Sequence, residues 1–128
     1  MSKWMDNLLP KFLFDDPNSG YRSGDKFWKA STLYAAVKDQ KCKPYQLPLR
    51  FLDLSDYRWE SKRIPDMVFS IRRVMNSDLS IPIIISPAGG ILDGYHRIAK
   101  ALLEGREYVM AYRLLDMPEP DDVDKEDE

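Results

Sequence analysis

Asp93, Gly94, Tyr95, His96 and Arg97 follow one another in the stretch GGILDGYHRIAKALLEG, residues 89–105, and Lys100 lies one helical turn beyond Arg97. The stretch reads as a strand running into a helix. A helix N-terminus presents N–H groups without partners and a partial positive charge, so it attracts anions. Arg97 in the first turn offers a planar fork of donors to a phosphate, His96 can donate to the same group, and Lys100 adds charge. Gly94 lets a ligand approach the backbone closely. Asp93 is the one acid: it caps the helix, holds a metal, or orients an attacking hydroxyl. The chemistry these residue types suggest is the gripping of a phosphate.

The elements that must position this turn are legible on either side of it. IPIIIS, residues 81–86, is a short β-branched run of the kind that forms a buried strand. PAGG makes a tight turn, ILD forms a second strand, and the following helix turns Ile98, Ala101 and Leu102 to one face, with Gly105 as its left-handed cap. EYVMAYRLL supplies a closing strand. Upstream, PLRFLDL (48–54) alternates as a strand, and SDYRWESKRI is a loop. Pro65 then opens a helix, PDMVFSIRRVMNS, with Met67, Val68, Ile71, Val74 and Met75 facing inward. Asp25 caps an earlier helix of about sixteen residues, in which Phe27, Trp28, Leu33, Tyr34 and Val37 recur near the helical period. The order predicts a small α/β domain.

With 128 residues, 44% of them apolar and 12% aromatic, the chain suits one globular domain. It has no apolar run of membrane-spanning or signal-peptide length, and its single cysteine, Cys42, leaves no internal disulfide. The expected setting is cytoplasmic, with no membrane partner. The net charge of −2 conceals an asymmetry: residues 116–128 hold eight acids and one lysine, leaving 18 bases and 13 acids, +5, in residues 1–115. The expected organisation is an N-terminal extension with one helix over 1–46, the α/β domain over 47–115, and a disordered acidic tail over 116–128. The tail either keeps the chain soluble or masks a basic anion site.

The motif Ile91 to Ile98, with the proline-led strand from Pro82 and the pair Ser70–Ile71 in the preceding helix, resembles the ParB/sulfiredoxin superfamily over residues 47–115. The resemblance implies a mixed sheet of about four strands with helices packed on it. In the partition-protein branch the turn reads G-E-R-R and holds the triphosphate of CTP; here Gly94 and Arg97 match. In the sulfiredoxin branch it reads G-C-H-R, and Tyr95 stands where the nucleophilic cysteine would be. The wording is nearest to the D-G-H-H-R turn of the free serine kinases, which use ADP as phosphoryl donor. Asp93, Gly94, His96 and Arg97 match it, and Glu60 falls within a residue or so of the family's general base. Small proteins with this turn also occur in phages and plasmids.

Three classes of function follow. In the first, a nucleotide (ATP, ADP or CTP) with Mg²⁺ binds at Gly94, Tyr95, His96, Arg97 and Lys100, and Asp93 and Glu60 serve a phosphotransferase or nucleoside-triphosphatase reaction. In the second, the chain is a DNA-binding protein or weak nuclease, with Arg58, Trp59, Lys62 and Arg63 contacting the nucleic acid. In the third, it is a non-catalytic, phage-type protein that binds and inhibits a host partner. No residue is assigned to a resident metal, and the oligomeric state stays open, a homodimer included.

Overall fold

The computed structural model describes residues 20–55 and 63–124. It opens with a hairpin, β1 (Gly20–Ser23) and β2 (Lys26–Lys29), followed by α1 (Ala30–Asp39), β3 (Tyr45–Pro48) and a 3₁₀ turn (Leu49–Phe51). Then come α2 (Ile64–Met75), β4 (Ile83–Ile85), β5 (Ile91–Asp93), α3 (Tyr95–Leu103), β6 (Tyr108–Arg113) and a short β7 (Asp122–Val123). Four strands form a mixed sheet in the order β3-β6-β4-β5, with β4 parallel to β6 and the other pairs antiparallel. The expected small α/β architecture is present.

Three consecutive isoleucines explain how that sheet is held. Side chains alternate across a strand, so a strand covered on both faces must be apolar throughout. Ile83 and Ile85 join a cluster with Ile98 and Ala101 of α3, Val109, Ala111 and Leu49. Ile84 points the other way, into a cluster with Leu33, Ala36 and Val37 of α1, Trp28 and Leu114. The central strand is thereby clamped between α3 on one face and α1 with the hairpin on the other.

Several local expectations shift. The helix expected from Asp25 begins only at Ala30; Lys26–Lys29 is a strand, and Asp25 lies in the hairpin turn after Gly24, whose φ is 60°. The cross-strand pair Tyr21–Trp28, ring centroids 6.0 Å apart, buries Trp28 and favours the extended form. The strand expected over 48–54 lies earlier, at Tyr45–Pro48, because Leu49 turns to bury its side chain and gives its N–H to the Glu107 carbonyl. The α2 helix forms where expected but buries none of its residues: Met67, Ile71 and Met75 are exposed, and so is Leu102 of α3. Gly105, with φ 72°, ends α3 as expected.

The acidic end is also different. Residues 116–124 of the segment expected to be disordered lie along the hairpin, with β7 as the third strand of an antiparallel β1-β2-β7 sheet. Trp28 Nε1 donates to the Pro118 carbonyl at 2.7 Å, and Met117 packs against the α1-side cluster. Backbone pairing and polar contacts dock this segment without the apolar content that sequence composition weighs.

Candidate functional site

The β5–α3 turn is built from β4 outward. Gly94 is the N-cap of α3, with φ 115°, a left-handed conformation that disfavours any side chain. A Cβ there would sit 2.3 Å from Cγ2 of Ile83. Close packing of the turn on the buried strand therefore requires glycine, whatever binds outside. The cap gives α3 no side-chain hydrogen bond, so Asp93 is not the helix cap.

Asp93 instead meets two other groups. Its Oδ2 accepts from the Tyr34 hydroxyl at 2.8 Å and from Arg97 Nη2 at 2.6 Å, and Nη2 also donates to the Tyr34 oxygen at 2.8 Å. Arg97 Nη1 donates to the carbonyls of Ile81 at 3.0 Å and Pro82 at 2.7 Å. Both terminal nitrogens of the guanidinium thus have two internal acceptors each. Burial and the neighbouring Asp93 carboxylate push the Tyr34 hydroxyl up to about 12, against the opposing pull of Arg97, so it keeps its proton at neutral pH. Arg97 acts as a strut between α1, β5 and the strand entry at β4.

Lys100 is engaged as well. Its Nζ donates to the Ser77 carbonyl at 2.6 Å, immediately after the C-terminus of α2, where a cation meets unpaired carbonyls. Tyr95 turns towards the sheet, packs against the α3-side cluster and donates to the Ile91 carbonyl at 3.4 Å. It does not line the cavity described next.

That cavity, of about 240 Å³, lies between the C-terminal end of α2 and the N-terminus of α3. Arg73, Asn76, Ser77 and Asp78 form one wall; Asp93, Gly94, His96 and Arg97 form the other. His96 is pushed down to about 4, first by burial and then by the positive charges of Arg73 and Arg97, so its ring is neutral at pH 7. A larger cavity, of about 400 Å³, lies beside β6, where Arg106 is paired with Glu104, and it gathers no comparable set of donors.

Of the residues singled out in sequence, Asp93, Gly94, His96 and Arg97 come together, with Lys100 behind them. Arg63 marks the start of α2 and pairs with Asp66, at the end opposite the cavity, ~15 Å away by helical rise. Glu60, Arg58, Trp59 and Lys62 lie outside the described residues. Tyr34 is the residue that sequence reasoning missed, because its periodicity places it with the apolar face of α1. Arg73 of α2 also lines the cavity, and nothing in its sequence neighbourhood sets it beside the turn. Among the described residues, no three histidines, cysteines or acids gather where they could hold a metal ion. Comparison with protein families, with curated proteins and with solved structures finds no match to this chain.

Proposed function

We propose that the cavity between α2 and α3 binds the phosphate of a nucleotide. The observation that carries this reading is the convergence of Arg73 and His96 on a helix N-terminus that has no side-chain cap. Arg73 supplies the charge, neutral His96 a hydrogen bond, and the first-turn N–H groups of α3 the backbone donors. Arg97 holds the turn in place and Lys100 holds the α2 end. Mg²⁺ travels on the nucleotide's own phosphates. The reading is one of binding: Oδ2 of Asp93 is engaged by Tyr34 and Arg97, and the other acid lining the cavity among the described residues, Asp78, has its Oδ1 held by the N–H and hydroxyl of Ser80.

The test is a binding series with ATP, ADP, CTP and inorganic phosphate, with and without Mg²⁺, followed by thermal shift and calorimetry. Ligand held only by the folded state raises the unfolding midpoint. Arg73→Ala should remove that rise while leaving the unliganded midpoint within a few degrees. A rise that survives Arg73→Ala, or no rise with any ligand, overturns the reading.

One observation favours a second reading, a surface for another macromolecule. Ile64, Met67, Ile71 and Met75 recur at intervals of three and four along α2, and all four are exposed. A double Met67→Glu, Ile71→Glu variant that folds normally but no longer binds an apolar dye would locate that surface; undiminished dye binding would dismiss it.

A further inference from the structure

The C-terminal segment shows what the outer edge of the hairpin recognises. Asp121 gives its N–H to the Phe27 carbonyl at 2.8 Å, and Asp124 gives its N–H to the Asp25 carbonyl at 2.7 Å. Between them, β7 pairs antiparallel with β2, Asp122 opposite Phe27 and Val123 opposite Lys26. The two flanking carboxylates are then read separately. That of Asp121 accepts from the Lys29 N–H at 2.8 Å and the Thr32 hydroxyl at 2.9 Å, at the N-terminus of α1, whose own cap residue contributes no side-chain bond. That of Asp124 accepts from Arg22 Nη1 at 2.6 Å.

These contacts hold an extended backbone with aspartates three residues apart. The edge that receives them is basic, with Arg22, Lys26 and Lys29 on two short strands, and the segment that lies on it is acidic. All four residues of the segment, 121–124, are exposed. Its attachment is therefore made of backbone bonds and charge contacts at the surface, where water competes and an ion pair contributes little. Upstream, the Trp28–Pro118 bond and the packing of Met117 keep the segment tethered when its end lifts.

We propose that the outer edge of β2, with the N-terminus of α1 and Arg22, is a docking site for an extended acidic peptide of another protein carrying two aspartates three residues apart. Residues 121–124 are its intramolecular stand-in. The incoming strand adds to the sheet edge through its main chain and takes its specificity from the two carboxylate sites. The tethered stand-in competes at a high local concentration, so the site opens only to a partner that outbinds it or is itself held nearby. This site is separate from the α2–α3 cavity, and its failure would leave the phosphate reading intact.

The experiment uses the full chain and a fluorescent peptide with the sequence of residues 118–124. In the Asp121→Ala, Asp124→Ala double variant the stand-in keeps its main-chain bonds but loses both carboxylate contacts, so it competes more weakly. The peptide should bind this variant about tenfold or more tightly than the wild-type chain, the difference being the weakening of the tethered competitor. A peptide with alanine at the positions of Asp121 and Asp124 should lose the binding, and a triple variant that adds Arg22→Ala should weaken it severalfold. Equal binding to wild type and double variant, or none to either, overturns the proposal.

Hydrogen exchange on the wild-type chain tests it without any variant. The Asp121 and Asp124 amides should exchange much faster than those of Val109 and Ala111 in β6, reporting local lifting of the segment. Exchange as slow as that of β6 would show a permanent strand and overturn the proposal even if the double variant fails to fold. A wild-type dimer that forms with concentration and is lost in the double variant would assign the edge to a second copy, and so overturn the assignment to a foreign peptide.

Discussion

Arg97–Asp93 and Arg22–Asp124 are ion pairs of the same length, 2.6 Å, built from the same two side chains, and they do different work. The side chains of the first are 13% and 25% exposed; those of the second are 48% and 62% exposed. Around Arg97 the remaining partners are a half-buried phenol and two carbonyls, so removing the guanidinium leaves several groups half-desolvated and short of a donor. Around Arg22 water replaces whatever is lost. Distance does not rank these contacts. What ranks them is the number of other groups that each cation satisfies away from solvent.

The largest way to break the inner turn does not touch its charges. Gly94→Ala would place a methyl group against Ile83 in a left-handed conformation. The cost should reach about 3 kcal/mol or more, which a urea titration would show as a large fall in the unfolding midpoint with an unchanged slope. Next in size is Arg97→Ala, expected to cost about 2–4 kcal/mol by leaving two carbonyls without their donor and the Asp93 carboxylate with the Tyr34 hydroxyl alone. Its midpoint should fall by about 4 °C or more for each kcal/mol. Arg97→Lys should recover only part of this, since one ammonium cannot reach all four acceptors. A midpoint within a degree of wild type in Arg97→Ala would make the pair no stronger than its exposed counterpart.

His96 sharpens the contrast through pH. Its folded value of about 4 lies below the ordinary 6.5. Between those values the unfolded chain takes up a proton that the folded chain refuses, so stability falls as the pH drops from 6.5 towards 4, and His96 makes no difference above that range. The stability difference between wild type and His96→Asn should therefore shift against wild type across this window and stay flat above it. A parallel pair of curves would place His96 in ordinary solvent. The smallest effect belongs to the outer pair: Arg22→Ala should change stability by no more than about 1 kcal/mol, and added salt should shrink even that.

How much of this could be read in the sequence follows from the range of the contacts. The β-branched run at Ile83–Ile85, the glycine that ends α3 and the strand-to-helix turn at Asp93–Arg97 are set by neighbours a few residues away, and each is found where the pattern put it. The hairpin was hidden because Phe27 and Trp28 continue the helical spacing of Leu33, Tyr34 and Val37. Only the pairing with Tyr21 and the arrival of Asp121 and Pro118 from the far end of the chain favour a strand. Tyr34 looked like a core residue because its hydroxyl finds Asp93 and Arg97 only after α1 has packed over β5. The apolar positions of α2 obey the same period as those of α3, yet α3 buries Ile98 and Ala101 and α2 buries nothing. Periodicity identifies an apolar stripe, and only the tertiary arrangement says what lies against it.

The two cations one turn apart on α3 have a consequence for change over generations. Arg97 grips the carbonyls of Ile81 and Pro82, and Lys100 grips that of Ser77. Main-chain oxygens are the same whatever residue carries them. These three anchors in the connection from α2 to β4 are thus blind to the side chains that carry them. Asn76 on the cavity wall can be exchanged without touching them, whereas Asp78 also shapes the loop itself, its Oδ1 accepting from the Ser80 N–H at 2.9 Å and hydroxyl at 2.6 Å. The loop offers a substitution-tolerant palette over a fixed frame, on which a lineage could redraw what the cavity admits without first having to rebuild the fold.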